Sequence, residues 1–299
     1  QTFGRGLLDV MDGGLPLLGT CHHPVTVDRT LDLEHAPNWR RRQQLRRWYG
    51  FLKMQMKVAR AIPRIITVSS SSKRDIVEQY GIGPGQLEVV PIGVDQNHFR
   101  PRPETARVPG RIMTTASADV PFKGLLPLVE AVAKVRTERP EAHLVVVGKL
   151  RGDSPVAKAI DRLGVAGAVT FESGISNERM IELYAEAEVA VVPSLYEGFS
   201  LPAVESMACG VPLVATRGGA LPEVVGEDGV TGMLVSPGDP GELAGAIERV
   251  LSDHGLAARL AGNARRRVLD RFTWQACAAA TADQYRWVIE EKRRSTARC

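Results

Sequence analysis

The sequence predicts an α/β fold built on doubly wound parallel sheets, and three observations carry that prediction. Short runs rich in Val, Leu and Ile recur along the chain without polar alternation, as strands buried on both faces do. Segments with apolar residues at helical spacing separate them, which gives an alternating βαβα order. The 299 residues are 44% hydrophobic and 24% charged, a globular balance with enough chain for two cores of ordinary size.

In chain order, 15–20 and 65–68 read as strands of a first, smaller α/β unit. The stretch 100–110 carries Pro101, Pro103 and Pro109 with no periodic apolar pattern and reads as a domain boundary. Beyond it come a strand at 112–116, an amphipathic helix at 125–138 and a strand at 144–147 ended by Gly148. A short strand at 169–171 precedes a helix over 177–187 that Ser176 can cap. Val189, Ala190, Val191 and Val192 form the next strand, and Ser200, Pro202 and Gly210 suit the cap, first turn and end of the helix after it. A strand at 212–216, a short helix at 221–225, a strand at 233–235 and a helix at 240–252 continue the alternation. A long amphipathic helix at 273–291 closes the chain. The expected domains are 1–100 and 101–275, followed by a terminal helical segment, 276–299.

The richest stretch for function runs from Pro193 to Gly210, where Glu197 and Glu205 stand eight residues apart across a strand-to-helix turn. The free amides of Phe199, Ser200 and Leu201 would point out of the carboxyl end of the sheet, where a helix N-terminus favours phosphate. With one carboxylate on the loop and the other a turn into the helix, one reaches a sugar and the other the two hydroxyls of a ribose. The pattern suits a sugar nucleotide; a buried βα unit with two solvated glutamates is the plainer alternative.

This stretch resembles the E-x7-E motif of the family 4 glycosyltransferases, whose GT-B fold sets two Rossmann-like doubly wound domains facing a cleft. The resemblance continues through Pro91-Ile92-Gly93-Val94-Asp95 with Phe99 and Pro101, through Phe122-Lys123-Gly124, and through Gly218-Gly219 with Pro222-Glu223. It implies a retaining, metal-independent transferase of the hexosyl type that takes a nucleotide-diphosphate sugar as donor substrate, uses no cofactor, and has a sugar or lipid-linked acceptor. Lys123 would stabilise the diphosphate, Glu197 would contact the donor sugar and Glu205 the ribose. The amides of Gly198, Phe199, Ser200 and Leu201 would hold sugar and phosphate oxygens, and His22 would face the sugar from the first domain. His22, Lys123 and Glu197 are thus the expected catalytic residues. The family places an arginine six residues before the lysine; Ser117 stands there, so Lys149 and Arg151, just after the Gly148 turn, are candidate substitutes.

The same resemblance makes the first domain the acceptor side and sends the last helix back onto it. The family's first strands and glycine-rich acceptor loop are not found, and the chain opens on Gln1, so the first domain reads as truncated. A non-catalytic nucleotide-sugar-binding or scaffold protein of the same fold, and a GT-B epimerase, are the alternatives to a transferase.

Other chemistries lack their motifs. No D-x-D pair, no G-x-x-x-x-G-K-[ST] and no G-x-S-x-G occur, and Gly4-Arg5-Gly6 is a lone G-x-G without a strand before it. Cys21, Cys209, Cys277 and Cys299 have no metal or disulfide spacing, which suggests free thiols in a reducing, cytoplasmic compartment. His22 and His23 have no further ligand at metal spacing, and a structural histidine is the alternative to a functional one. No apolar run approaches the ~20 residues that span a bilayer.

Charge is uneven despite a net value of +4. Between residues 35 and 74 there are eleven Lys and Arg and no acid. Leu45, Trp48, Leu52, Met56 and Ala59 recur there at helical spacing, with Arg40, Arg41, Arg42, Arg46, Arg47, Lys53, Lys57 and Arg60 on the other faces. Such a helix with Trp39 and Trp48 suits the anionic inner face of a membrane, while an ordinary domain helix with solvated charges is the alternative. No nucleic-acid module accompanies the patch, so nucleic acid is not expected as a partner.

Overall fold

The computed structural model describes residues 3–34, 36, 38–116 and 120–297. It falls into two units, Gln1–Gly93 with Trp274–Cys299, and Val94–Thr273.

The first unit holds a three-stranded parallel sheet, β1 (Leu18–Thr20), β2 (Arg64–Thr67) and β3 (Leu87–Val89), in the order β1-β2-β3. Its core gathers Val58, Ile62, Ile65, Ile76, Tyr80 and Leu87. The helix Ser70–Tyr80 begins at Ser69, whose hydroxyl accepts a hydrogen bond from the Ser72 amide at 2.9 Å. It ends at Gly81, where a left-handed φ of 63° stops it.

The basic stretch is not one helix. It forms Trp39–Trp48, a 3-10 turn Tyr49–Phe51, and Leu52–Ala61. Its buried row is Leu45, Tyr49 and Leu52, which pack with Val25, Leu33, Ala36 and Phe51. Tyr49 rather than Trp48 continues the stripe across the tighter turn, so Trp48 stands 72% exposed instead of joining the expected apolar face. The terminal helix runs Trp274–Ala297 and packs on β1 and β2. It buries only Val288, so it is less amphipathic than its sequence suggests. Arg64 donates to Gln284 Oε1 at 2.8 Å and lies 4.5 Å over the Trp287 ring, tying β2 to it.

The second unit is built on six parallel strands: β4 (Arg111–Thr115), β5 (His143–Val147), β6 (Val169–Glu172), β7 (Val189–Val192), β8 (Leu213–Thr216) and β9 (Met233–Val235). Their order is β6-β5-β4-β7-β8-β9, the doubly wound arrangement in which the chain reverses direction across the sheet between β4 and β7. β7 and β8 are buried along their whole length, as the apolar runs 189–192 and 213–215 require. The helices Leu125–Glu138, Pro155–Arg162 and Pro240–Ser252 share one core with Ile112, Leu144, Val146, Val191 and Val214.

Both unit boundaries differ from the expected ones. The first falls at 93/94 rather than 100/101, because arginines bond residues 94–110 to the rest of the second unit. Arg265 donates to the carbonyls of Phe99 at 2.8 Å and Gln96 at 3.1 Å, and Arg107 donates to the carbonyls of Ala187 and Gly210. The second falls at 273/274 rather than 275/276, and just before it the Val94 amide donates to the Phe272 carbonyl at 2.8 Å.

Candidate functional site

In an open α/β sheet, ligands sit outside the carboxyl ends of the strands where the winding reverses. Here that place lies beyond Thr115 on β4 and Val192 on β7. The loops leaving these two strands carry Lys123 and Glu197.

The two loops are pressed together. A 3-10 turn, Pro121–Lys123, leads into the helix Leu125–Glu138 through Gly124, which has φ of 70°. A Cβ at Gly124 would lie 1.9 Å from the Pro193 carbonyl oxygen, so only glycine fits. The Leu195 amide donates to the Phe122 carbonyl at 2.7 Å across the same contact. Lys123 Nζ then stands 2.8 Å from Glu197 Oε1, and the Ser194 hydroxyl donates to that oxygen at 2.8 Å.

The loop after β8 fixes Glu197 from the other side. Its backbone carbonyl accepts the Ala220 amide at 2.8 Å, and a Cβ on Gly219 would come within 2.3 Å of it. Gly218 and Gly219 therefore let this loop lie against the Glu197 backbone. The Glu197 side chain is 11% exposed and that of Lys123 is 31% exposed, so the pair keeps one face toward solvent.

Among the described residues, Ser200 is the one non-glycine with positive φ, 94°. It is buried, and its hydroxyl accepts the Ala203 amide at 3.4 Å, capping the helix Leu201–Ala208. Phe199 is buried edge-on to Phe272, with ring centroids 5.6 Å apart. These contacts explain how a serine is held where backbone sterics favour glycine.

Glu205 lies in the second turn of that helix. The Tyr184 hydroxyl is 3.4 Å from Glu205 Oε2 and 3.4 Å from the Pro202 carbonyl oxygen. Burial raises the Glu205 carboxyl above the ordinary glutamate value, and the Tyr184 hydrogen bond partly opposes this. Tyr184 is held well above the usual phenol range, first by burial and then by the Glu205 charge.

A cavity of about 580 Å³ opens at the carboxyl ends of β4 and β5. Thr115, Val120, Lys123, Gly148, Lys149 and Arg151 are among its lining residues. Three cations and no carboxylate line it among the described residues, a setting that favours an anion. The Gly148 amide donates to the Glu172 carbonyl at 2.8 Å, which fixes the turn presenting Lys149 and Arg151. Ser117 lies outside the described residues.

His22 follows β1 in the first unit and is half-buried; burial above all lowers its pKa, and the neighbouring His23 adds to this. His23 Nε2 is 2.9 Å from Asp28 Oδ2. Among the described residues no group of three or more His, Cys, Asp or Glu could hold a metal ion. None of their helices is long and apolar enough to cross a membrane.

The second unit thus gathers Lys123, Gly148 and Lys149 around one cavity and pairs Lys123 with Glu197, while Glu205 hangs on the following helix. Ser194, Thr115 and Tyr184 escaped sequence reasoning. Ser194 could have been found from its place three residues before Glu197 on the same tight loop. Tyr184 falls on the apolar stripe of its helix and reads there as core.

The family model for Glycosyl transferases group 1 matches residues 100–267, and that for Glycosyltransferase Family 4 matches residues 1–98. An MMP alpha-(1->4)-mannosyltransferase of Mycolicibacterium hassiacum is 49% identical over 97% of this chain and 69% of its own length. A D-inositol 3-phosphate glycosyltransferase of Acidothermus cellulolyticus is 36% identical over 79% of this chain, and the match spans 56% of that protein. Among solved structures, a sucrose-phosphate synthase from Thermosynechococcus elongatus matches with a TM-score of 0.76 and 28% identity. That match covers 93% of this chain and 69% of the synthase.

Proposed function

The chain belongs to the family 4 glycosyltransferases, and from that premise we propose that it moves a sugar from a nucleotide-diphosphate sugar to an acceptor, with retention at the anomeric carbon and without a bound metal. The Lys123–Glu197 pair, held at the winding reversal beside a cation-lined cavity, is the observation that carries this reading. Departure of the sugar leaves negative charge on a diphosphate, and preorganised cations stabilise such charge without reorganising at the moment of reaction. Lys123 takes that role, with Lys149 and Arg151 supplying the charge that Ser117 does not. The amides of Gly198, Phe199, Ser200 and Leu201 add donors at the helix start.

A diphosphate competes with Glu197 for the Lys123 ammonium. Once Lys123 turns to phosphate, Glu197 is free to accept from a hydroxyl of the donor sugar. Glu205 accepts from the two ribose hydroxyls. The 49% identity to an alpha-(1->4)-mannosyltransferase supports a hexosyl donor and a sugar acceptor.

One surface supports a further partner. Trp39 is 68% exposed, Trp48 is 72% exposed, and Arg40, Arg41, Arg42, Arg46 and Arg47 are exposed on the same helix. That surface fits an anionic membrane, which would bring a lipid-linked acceptor to the enzyme.

The test is a calorimetric screen of UDP-, GDP- and ADP-sugars, followed by assays of transfer and of donor hydrolysis. We expect one nucleotide series to bind and its sugar to be transferred with retained anomeric configuration. Binding without transfer or hydrolysis would favour the non-catalytic binder, and failure of every donor to bind would remove the proposal.

A further inference from the structure

The helix Asn177–Glu186 runs up to β7 and carries Tyr184, a phenol 2% exposed whose hydroxyl reaches the helix that follows β7. That hydroxyl has one proton to give and two acceptors in range, Glu205 Oε2 and the Pro202 carbonyl oxygen, each at 3.4 Å. The Thr115 hydroxyl at the cavity wall is buried and lies beside the same phenol. A buried tyrosine needs only one partner, yet this one spans the first turn of the helix and the carboxylate one turn on.

We infer that Tyr184 is a positioning residue for nucleotide binding: its hydroxyl anchors Oε2 of Glu205, which leaves Oε1 as the oxygen presented to the ribose. The inference rests on the reading of Glu205 given above. The ionised carboxylate accepts from the ribose hydroxyls more strongly than the protonated acid does, so a group that stabilises the ionised form sets the pH range of tight binding. Burial acts against ionisation, and the phenol offsets part of it. Near the carboxylate, burial pushes the thiol of Cys209, just past the end of the same helix, up to about 12, and Arg265 and Arg102 add positive charge around it. The thiol stays protonated throughout the weakly acidic to neutral range, which leaves Glu205 as the titrating group of this cluster.

The experiment measures affinity for a nucleoside diphosphate, as a function of pH, in the wild-type chain, Tyr184→Phe and Glu205→Gln. Wild-type affinity is expected to fall on acidification as Glu205 takes up its proton. Tyr184→Phe removes a bond to the charged form, so its midpoint should move up by about half a unit to one unit. Its affinity at neutral pH should fall several-fold. Glu205→Gln should bind about tenfold or more weakly and lose the pH step. Should Tyr184→Phe not fold, 3-fluorotyrosine placed at 184 keeps the shape, donates more strongly and should move the midpoint down. If Glu205→Gln weakens binding but neither change at 184 moves the midpoint, Tyr184 is only packing and the inference is overturned while the role of Glu205 stands. If Glu205→Gln binds as well as wild type, the role of Glu205 fails and the inference goes with it.

Discussion

Lys123 Nζ and Glu197 Oε1 lie 2.8 Å apart, although they sit on loops that leave different strands. The Ser194 hydroxyl shares the carboxylate oxygen. A partly exposed ion pair of this kind contributes little stability, about 0–1 kcal/mol. Its interest is that a cation and an anion are held at one point, where an arriving diphosphate can exchange with the carboxylate.

Replacing Lys123 by alanine is therefore expected to leave stability nearly unchanged and to weaken nucleoside diphosphate binding by about 1.5–3 kcal/mol. Lys149→Ala should weaken it less. The double variant should show non-additive coupling, since both ammonium groups line the same cavity. Calorimetry on the four proteins decides this. Strict additivity, with Lys149→Ala equal to wild type, would leave Lys123 alone.

Glu205 is expected to oppose stability where it serves binding. Its folded-state pKa is raised, so the folded chain holds the proton more readily than the unfolded chain. Stability then falls as pH rises from the unfolded value through the folded one. Glu205→Gln should be more resistant to urea than wild type at neutral pH, with the difference shrinking on acidification. An identical difference at both pH values would show that burial of the charge is not the cause.

Gly124→Ala should destabilise the second unit by about 2–4 kcal/mol, because the new methyl meets the Pro193 carbonyl at a left-handed φ. The effect should appear in urea denaturation as a lower midpoint. A variant as stable as wild type would mean that the two loops separate easily, and with them Lys123 and Glu197.

The basic surface should sediment with vesicles containing anionic lipid and not with neutral ones. Binding should fade as the Debye length shrinks from about 10 Å at 0.1 M salt. Changing Arg40, Arg41, Arg42, Arg46 and Arg47 to glutamine should release the protein. Wild-type protein that stays in the supernatant at low salt would make these residues a solvated face.

Sequence alone made the second unit readable because its strands are mostly continuous apolar runs; β7 stands where the pattern puts it, β8 starts one residue later, and β4 is shifted by one residue. β3 went unread: Leu87, Glu88 and Val89 are too short to show a period. The helix His254–Arg271 was missed because six arginines and histidines interrupt its apolar row, yet two of the arginines bond to backbone carbonyls elsewhere. Glu197, Ser200 and Glu205 were legible from spacing and cap chemistry. The partnership of Lys123 with Glu197 and of Tyr184 with Glu205 was not, because it joins separate segments of the chain. The boundary near residue 100 was misplaced for the same reason: proline marks a break in periodicity, and a distant Arg265 decides which body the segment joins.

The strand order also has a consequence in time. β4, β5 and β6 pair with sequence neighbours, as do β7, β8 and β9. The pairing of Ile112 with Val189 joins the two triplets and must wait for the intervening strands and helices to be placed. The seam between β4 and β7 is therefore expected to be the last part of the sheet to gain protection in pulse-labelling hydrogen exchange during refolding. Protection of that seam before the β4–β5 pairing would reverse the order. Because Lys123 and Glu197 stand on the loops above this seam, a refolding chain acquires its scaffold first and the Lys123–Glu197 corner at the end.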